Sequence, residues 1–174
     1  MLRKAAFLDR DGTVVIDAGY ARKPEELVLL PGVRDAVTRL KASGFLIIII
    51  TNQSGIGRGY LTEESYQLQI AKLAELLGPA AAPDGHYYCP HHPTEARAPY
   101  NIDCNCRKPK PGLFLRAITD FNIDVQHSFA IGDTDRDLIA ARAAGIHITE
   151  KMDPSANDGF HSAVEAALKR IPQT

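Results

Sequence analysis

The sequence predicts an α/β fold, a Rossmann-like doubly wound parallel sheet, and two observations carry that reading. Short apolar runs recur along the chain at 5–8, 46–50, 87–88, 128–131 and 145–148, each bounded by polar residues or glycine. Segments of helical periodicity lie between them. Apolar runs of this length suit buried strands, and strands that alternate with helices favour a parallel sheet covered on both faces. The first helical segment, 33–43, carries Val33, Val37 and Leu40 on one side, the stripe a helix needs to dock on a sheet. Helices are likewise expected over 63–77, 113–121 and 135–144, and a terminal one over 161–171, where Val164, Leu168 and Ile171 recur at helical spacing. Gly44 and Gly78 stand where C-caps are expected, and Thr62 where an N-cap is.

A chain of 174 residues can bury a core without cross-links. One domain over 1–174 is therefore expected, with no insertion large enough to form a cap domain. Twenty basic residues against twenty-one acidic ones leave a formal charge of −1, which argues against nucleic acid or a membrane surface as partner. Met1-Leu2-Arg3-Lys4 runs straight into the first strand, too short a stretch for a signal-peptide apolar region and cleavage site, so no signal segment is expected. No apolar run approaches the roughly 20 residues of a membrane helix. The three cysteines all fall between 89 and 106, a pattern that suits a metal site in a reducing cytoplasm better than a disulfide framework.

Residues 89–112 break the alternation. Pro90, Pro93, Pro99, Pro109 and Pro111 interrupt them, and a loop of that length inside a compact fold is usually functional or disordered. The metal-type residues it carries favour order.

Four clusters point to phosphoryl chemistry. The first strand ends in Asp9-Arg10-Asp11-Gly12-Thr13, where two carboxylates can divide the work of nucleophile and proton carrier. The second ends in Thr51-Asn52-Gln53-Ser54-Gly55, offering a hydroxyl and backbone donors at the same carboxyl edge of the sheet. The fourth ends in Gly132-Asp133-Thr134-Asp135-Arg136-Asp137, and carboxylate oxygens with water and phosphate are what Mg²⁺ prefers. Arg107-Lys108-Pro109-Lys110 supplies cations that can balance a transferring phosphoryl group.

Asp9-x-Asp11-Gly12-Thr13, Thr51-Asn52, Lys108 and Gly132-Asp133 with Asp137 together resemble the four ordered motifs of the haloacid dehalogenase superfamily of phosphatases. The resemblance implies Asp9 as nucleophile and Asp11 as general acid and base. It implies Mg²⁺ held by Asp9, Asp133 and the backbone carbonyl of Asp11, with Thr51 and Lys108 stabilising the phosphoryl group. Lys108 is preferred to Lys110 because it directly follows Arg107 in the family pattern.

Cys89-Pro90-His91-His92 and Cys104-Asn105-Cys106 supply the three thiols and one imidazole of a closed zinc site, the fourth ligand being His91 or His92. The family form Cys-x-His points to His91, giving Cys89, His91, Cys104 and Cys106 and a zinc-stabilised loop over about 89–106. Such a zinc is structural, ordering a loop that packing does not.

Two branches pair these motifs with such a loop, the histidinol-phosphate phosphatases and the D,D-heptose 1,7-bisphosphate phosphatases. The twelve residues between His91 and Cys104, with Asp17-Ala18-Gly19-Tyr20 and 52–59, look more like the second. That likeness implies removal of the C7 phosphate of a phosphorylated heptose, a substrate of lipopolysaccharide precursor synthesis. It implies sugar contacts from Asp17, Tyr20, Asn52, Gln53 and Ser54, and recognition of the second phosphate by Arg107. One departure is Thr134, where the family often has Lys; Arg136 or Arg58 could compensate. A monomer closed by loops is expected. A non-catalytic binding protein on this scaffold finds no support, since every residue the chemistry requires is present.

Overall fold

The computed structural model describes residues 2–172; Met1, Gln173 and Thr174 of the expected 1–174 domain lie outside it. Five parallel strands form one sheet: β1 (Ala5–Leu8), β2 (Leu46–Asn52), β3 (Gly85–Cys89), β4 (Phe129–Gly132) and β5 (Ile148–Lys151). Their spatial order is β3-β2-β1-β4-β5. The chain winds outward from β1 to β3, then returns across β1 to lay down β4 and β5. The carboxyl ends of β1 and its two neighbours thus flank the switch point where open α/β sheets bind ligands.

The helices are α1 (Val33–Ala42), α2 (Ser54–Arg58), α3 (Glu63–Leu77), α4 (Gly112–Phe121), α5 (Asp135–Ala143) and α6 (Gly159–Lys169). Side-chain alternation along β1 and β2 divides the core. Ala6, Leu8, Ile47 and Ile49 face one way and pack with Val37 and Leu40 of α1, Leu73 of α3 and Val164 of α6. Ala5, Phe7, Ile48 and Ile50 face the other and pack with Leu113, Phe114 and Ala117 of α4 and Ala140 and Ala141 of α5. With both faces covered, neither strand can afford a polar position until its carboxyl end, so Asp9 and Thr51 are the first polar residues the two runs reach.

Most element boundaries fall within two residues of their expected places, and Glu63–Leu77 coincides with its prediction. Thr62 caps α3 by accepting from the Ser65 amide at 3.0 Å, and Gly78 closes it at a φ of 77°. The fifth strand is displaced. The apolar run at 145–148 predicts it there, but Gly145 adopts a φ of 91° and the Ile146 amide bonds back to the Ala141 carbonyl. Those residues close α5, and pairing with β4 starts at Ile148. The short α2 is not expected from its glycine-rich sequence. Its glycine at 57 is required by packing and not by the helix: a Cβ there would lie 2.5 Å from the Pro90 carbonyl oxygen. Residues 90–111 form neither strand nor helix, as expected.

Ile48 is fully buried at the centre of the sheet. Ile48→Ala should cost about 2–5 kcal/mol through lost transfer energy and an unfilled cavity. In urea unfolding, this loss should appear as a lower midpoint at unchanged slope.

Candidate active site

The site is built where β1, β2 and β4 end. Past Leu8 the strand geometry stops: residues 10–13 turn sharply, with the Val15 amide returning to the Arg10 carbonyl and Gly12 at a φ of 78°. A Cβ on Gly12 would lie 2.5 Å from an Asp133 carboxylate oxygen, so glycine is required both by the turn and by the approach of Asp133. Because the chain turns there, Asp9 and Asp11 are not alternate residues of one strand, as their spacing suggests, and their side chains have different partners.

Asp9 faces inward. Its carboxylate accepts from Lys108 Nζ at 2.7 Å, and the same ammonium lies 2.7 Å from Asp137 and donates to the Ile50 carbonyl at 2.7 Å. All three charged side chains are almost entirely buried. Burial pushes the Asp9 carboxyl up to about 7, against the pull of Lys108. For Lys108, burial alone would lower the ammonium, but Asp9 and Asp137 together hold it above its usual range. Burial also presses Asp137 upward; Lys108 outweighs it and the carboxyl sits below its usual range. Asp133 is raised, first by burial and then by Asp137.

Asp9, Asp133 and Asp137 can each bring an oxygen within 4.8 Å of the others. Three carboxylates against one ammonium leave excess negative charge in a poorly solvated pocket, and Asp133 Oδ1 is buried with no hydrogen-bond partner. A divalent cation satisfies both conditions, so the donor set fits Mg²⁺. Asp137, quoted with the fourth motif but assigned no role from sequence, joins this group. The Asp11 side chain is not part of it.

Asp11 lies above, a quarter exposed, in a bidentate ion pair with Arg10. Gln53 Nε2 donates to Asp11 Oδ2 at 2.6 Å and to Thr51 Oγ1 at 2.9 Å, coupling the ends of β1 and β2. Asn52 brackets the Lys108 backbone, accepting from its amide at 3.0 Å and donating to its carbonyl at 3.1 Å. It therefore also fixes the lysine, beyond the substrate contact expected of it.

A cavity of about 300 Å³ adjoins these groups, lined by Asp11, Asp17, Tyr20, Asn52, Gln53 and Ser54 together with Arg58, Arg107 and Arg136, and the Arg58 guanidinium lies 5.7 Å from the Tyr20 ring. Every expected substrate contact thus reaches one space. Asp17 also accepts from the Gly19 amide at 2.8 Å, shaping the turn that presents Tyr20. Burial, and beyond it the neighbouring Arg136 and Arg58, lower the Arg107 guanidinium from its ordinary value. The wall is consequently a concentrated positive surface, suited to an anion. Thr134 does not face that surface as a cation would; it caps α5, its hydroxyl and amide both on Asp137.

The cysteine loop closes the far side. Cys106 Sγ lies 3.1 Å from Cys89 and 3.2 Å from Cys104, and His91 Nδ1 is 3.2 Å from Cys106. A tetrahedral centre with zinc–sulfur bonds of about 2.3 Å needs sulfurs about 3.8 Å apart, so a small expansion accommodates the ion. The close contact between Cys89 and Cys106 lowers the Cys106 thiol and, with burial, raises that of Cys89, so the two sulfurs share one proton between them until a cation replaces it. The cluster fits Zn²⁺. His92 points elsewhere, toward Thr94 and Glu95. Arg107 follows Cys106 and donates to the His91 carbonyl at 3.1 Å, tying the basic wall to this cluster.

Sequence reasoning passed over Arg10. It stands between the two aspartates of the first motif, yet nothing in its spacing signals that it is 2% exposed.

The D-glycero-beta-D-manno-heptose-1,7-bisphosphate 7-phosphatase of Pasteurella multocida is 45% identical over 167 residues, covering 93% of this chain and 90% of that protein. The D-glycero-alpha-D-manno-heptose-1,7-bisphosphate 7-phosphatase of Burkholderia mallei is 39% identical over 150 residues, covering 86% and 79%. The crystal structure of D,D-heptose 1,7-bisphosphate phosphatase from B. bronchiseptica, complexed with magnesium and phosphate, superimposes with a TM-score of 0.72 at 33% identity, over 81% of this chain and 76% of that one. The family model for haloacid dehalogenase-like hydrolases matches residues 5–145, from the first strand through the turn that closes α5. With that span and those relatives, the chain belongs to the haloacid dehalogenase-like hydrolases.

Proposed function

We propose that this protein is a Mg²⁺-dependent phosphatase that removes the C7 phosphate of D-glycero-D-manno-heptose 1,7-bisphosphate through an aspartyl-phosphate on Asp9. The observation that carries the reading is the buried Asp9–Lys108–Asp137 group, with Lys108 Nζ 2.7 Å from both carboxylates, joined through Asn52 to a cavity whose lining includes Asp11 and three arginines. A sugar with two phosphates matches a site that offers buried carboxylates for one phosphate and guanidinium groups for the other. The names of the relatives support the same ester.

In this mechanism Asp9 attacks phosphorus in line as the sugar oxygen leaves, and Asp11 delivers a proton to that oxygen. The ionised Asp11 then takes a proton from the water that hydrolyses the aspartyl-phosphate, which restores both carboxyls. Lys108 and Thr51 hold the phosphoryl oxygens, and Arg107 with Arg58 and Arg136 orients the remote phosphate, so that binding energy away from the reaction positions the reacting centre. Mg²⁺ held by Asp9, Asp133 and the Asp11 carbonyl supplies neutralising charge for the phosphoryl oxygens. Zn²⁺ at Cys89, His91, Cys104 and Cys106 supplies order to the loop that carries Arg107 and Lys108. The reading takes the enzyme as cytoplasmic, in keeping with thiolate ligands, and as a monomer. Among the described residues no helix is long and apolar enough to cross a membrane.

Side-by-side assays of phosphate release from both anomers of the heptose bisphosphate and from histidinol phosphate test the ester. The better anomer should lead histidinol phosphate by about a hundredfold in kcat/KM, about 2.7 kcal/mol of transition-state preference; a lead for histidinol phosphate would move the enzyme to that substrate. Asp9→Asn should lower turnover by at least about 10³-fold, with no phosphoenzyme trapped by acid quench. Magnesium binding should release protons around pH 6, where a carboxyl with a pKa of about 7 is largely protonated. Affinity should therefore rise with pH through about 7 and then level, as titration calorimetry in buffers of different ionisation enthalpy would reveal. Reduced protein purified without chelator should carry stoichiometric zinc, and stripping it should lower the melting temperature and expose 89–106 to protease before the rest of the chain.

A further inference from the structure

Arg10 is the most constrained cation in the molecule outside the Lys108 group, and the reaction as derived leaves it idle. Its guanidinium spends every face on a partner. Nε lies 3.1 and 3.0 Å from the two Asp11 oxygens, and Nη2 donates to Oδ1 at 2.9 Å. Nη1 donates to Gln69 Oε1 at 2.9 Å, and the plane lies over the Tyr66 ring at 5.1 Å. Those two partners are themselves immobilised. Gln69 is fully buried and donates its own Nε2 to the Ala21 carbonyl at 2.8 Å. Tyr66 is fully buried, with its hydroxyl 2.8 Å from His86 Nε2.

Side chains of adjacent residues rarely meet in a regular strand, because they point to opposite faces. They meet here because the turn at Gly12 folds Asp11 back over Arg10. The geometry is also one-sided. Arg10 is 2% exposed and sits behind Asp11, whereas Asp11 lines the cavity, so the cation leaves the ligand's path free. An ion pair built only for stability has no need of a partner at the cavity wall, and a cation meant to bind phosphate has no use behind a carboxylate.

We infer that Arg10 is a positioning residue for Asp11: braced by Gln69 and Tyr66, it fixes the carboxylate that moves the proton and stands ready for the charge that forms there. The inference rests on the phosphatase reading. In the first half-reaction the Asp9 oxygen bonds to phosphorus, the bond to the sugar oxygen breaks with its electron pair, and that oxygen takes the proton from the Asp11 carboxyl. Asp11 is thereby left as the carboxylate whose pairing with Arg10 the structure shows, so the geometry corresponds to the state after proton delivery and the fork of N–H donors is in place for it without reorganisation. Lys in place of Arg10 would keep the charge but lose the fork and the stacking on Tyr66.

The test separates proton delivery from the rest of catalysis by leaving group. In full-length, Mg²⁺-loaded enzyme, kcat/KM, which reports the steps up to departure of the leaving group and excludes the later hydrolysis common to both esters, is compared on heptose bisphosphate, whose alkoxide must be protonated, and on p-nitrophenyl phosphate, whose phenolate departs without a proton. Arg10→Met should lower kcat/KM on the sugar ester at least about tenfold more than on the aryl ester, a share of the 10²–10⁴-fold that general acid catalysis contributes. Arg10→Lys should recover part of that gap, and Gln69→Leu should reproduce it at smaller size while leaving Arg10 in place. Equal losses on the two esters in these variants would overturn the inference while leaving the phosphatase reading intact. If Arg10→Met does not fold, Gln69→Leu decides, and an unchanged ratio overturns the inference. Wild-type enzyme inactive on both esters would overturn the phosphatase reading and this inference with it.

Discussion

Lys108 is the interaction on which the site depends. Its ammonium, 1% exposed, reaches Asp9 at the end of β1, the Ile50 carbonyl in β2 and Asp137 in α5, so one charge joins three elements that are distant in sequence. Removing one partner from such a buried group strands the others, at a cost of about 3–5 kcal/mol. The arrangement also keeps two carboxylates close together at the carboxyl edge of the sheet, which their mutual repulsion would otherwise resist.

Holding a buried lysine there demands control of its backbone, and that control comes from both sides. Asn52 brackets the Lys108 amide and carbonyl from the end of β2. The cysteine cluster ends two residues earlier, at Cys106, and the same loop is clamped against the start of α4, where a Cβ on Gly112 would meet the Asn105 carbonyl oxygen at 2.3 Å. A loop with so little regular pairing needs such anchors, and the grouping of three thiols and one imidazole, which could hold a metal ion, lies at its root. Lys108 and Arg107 therefore share one support.

The upper half of the site follows a different rule. Asp11, Tyr20 and the three arginines stand on turns and helix ends, exposed to a cavity that no inserted domain covers among the described residues. Selectivity in so open a site has to come from charge placed at fixed distance from the reacting centre rather than from enclosure. Arg107 is anchored to the His91 carbonyl, Arg58 is paired with Glu95, and Arg136 rises from the first turn of α5. Thr134 could be released from any cationic role because this wall is already positive, and it serves instead to cap α5 through Asp137.

The alternation of apolar runs and helices, and the polar residues at the ends of those runs, were legible in the sequence because both follow from local periodicity. The parallel sheet and the gathering of Asp9, Thr51 and Asp133 at one edge could be anticipated from them, and the confinement of three cysteines and two histidines to one loop announced their grouping; Lys108, and His91 rather than His92, came from the resemblance to the family pattern. The start of β5 could not, because a glycine turn after α5 took residues that an apolar run alone assigns to a strand. The pairing of Asp137 with Lys108, the Asn52 bracket on the lysine backbone and the burial of Arg10 behind Asp11 were likewise invisible. Local sequence carries hydrophobic period and chemical type, which determine which elements form and which residues reach the edge of the sheet. Which charge lies against which, and how much water each retains, is set only when distant segments pack, because burial and pairing belong to the assembled core and not to any stretch of chain.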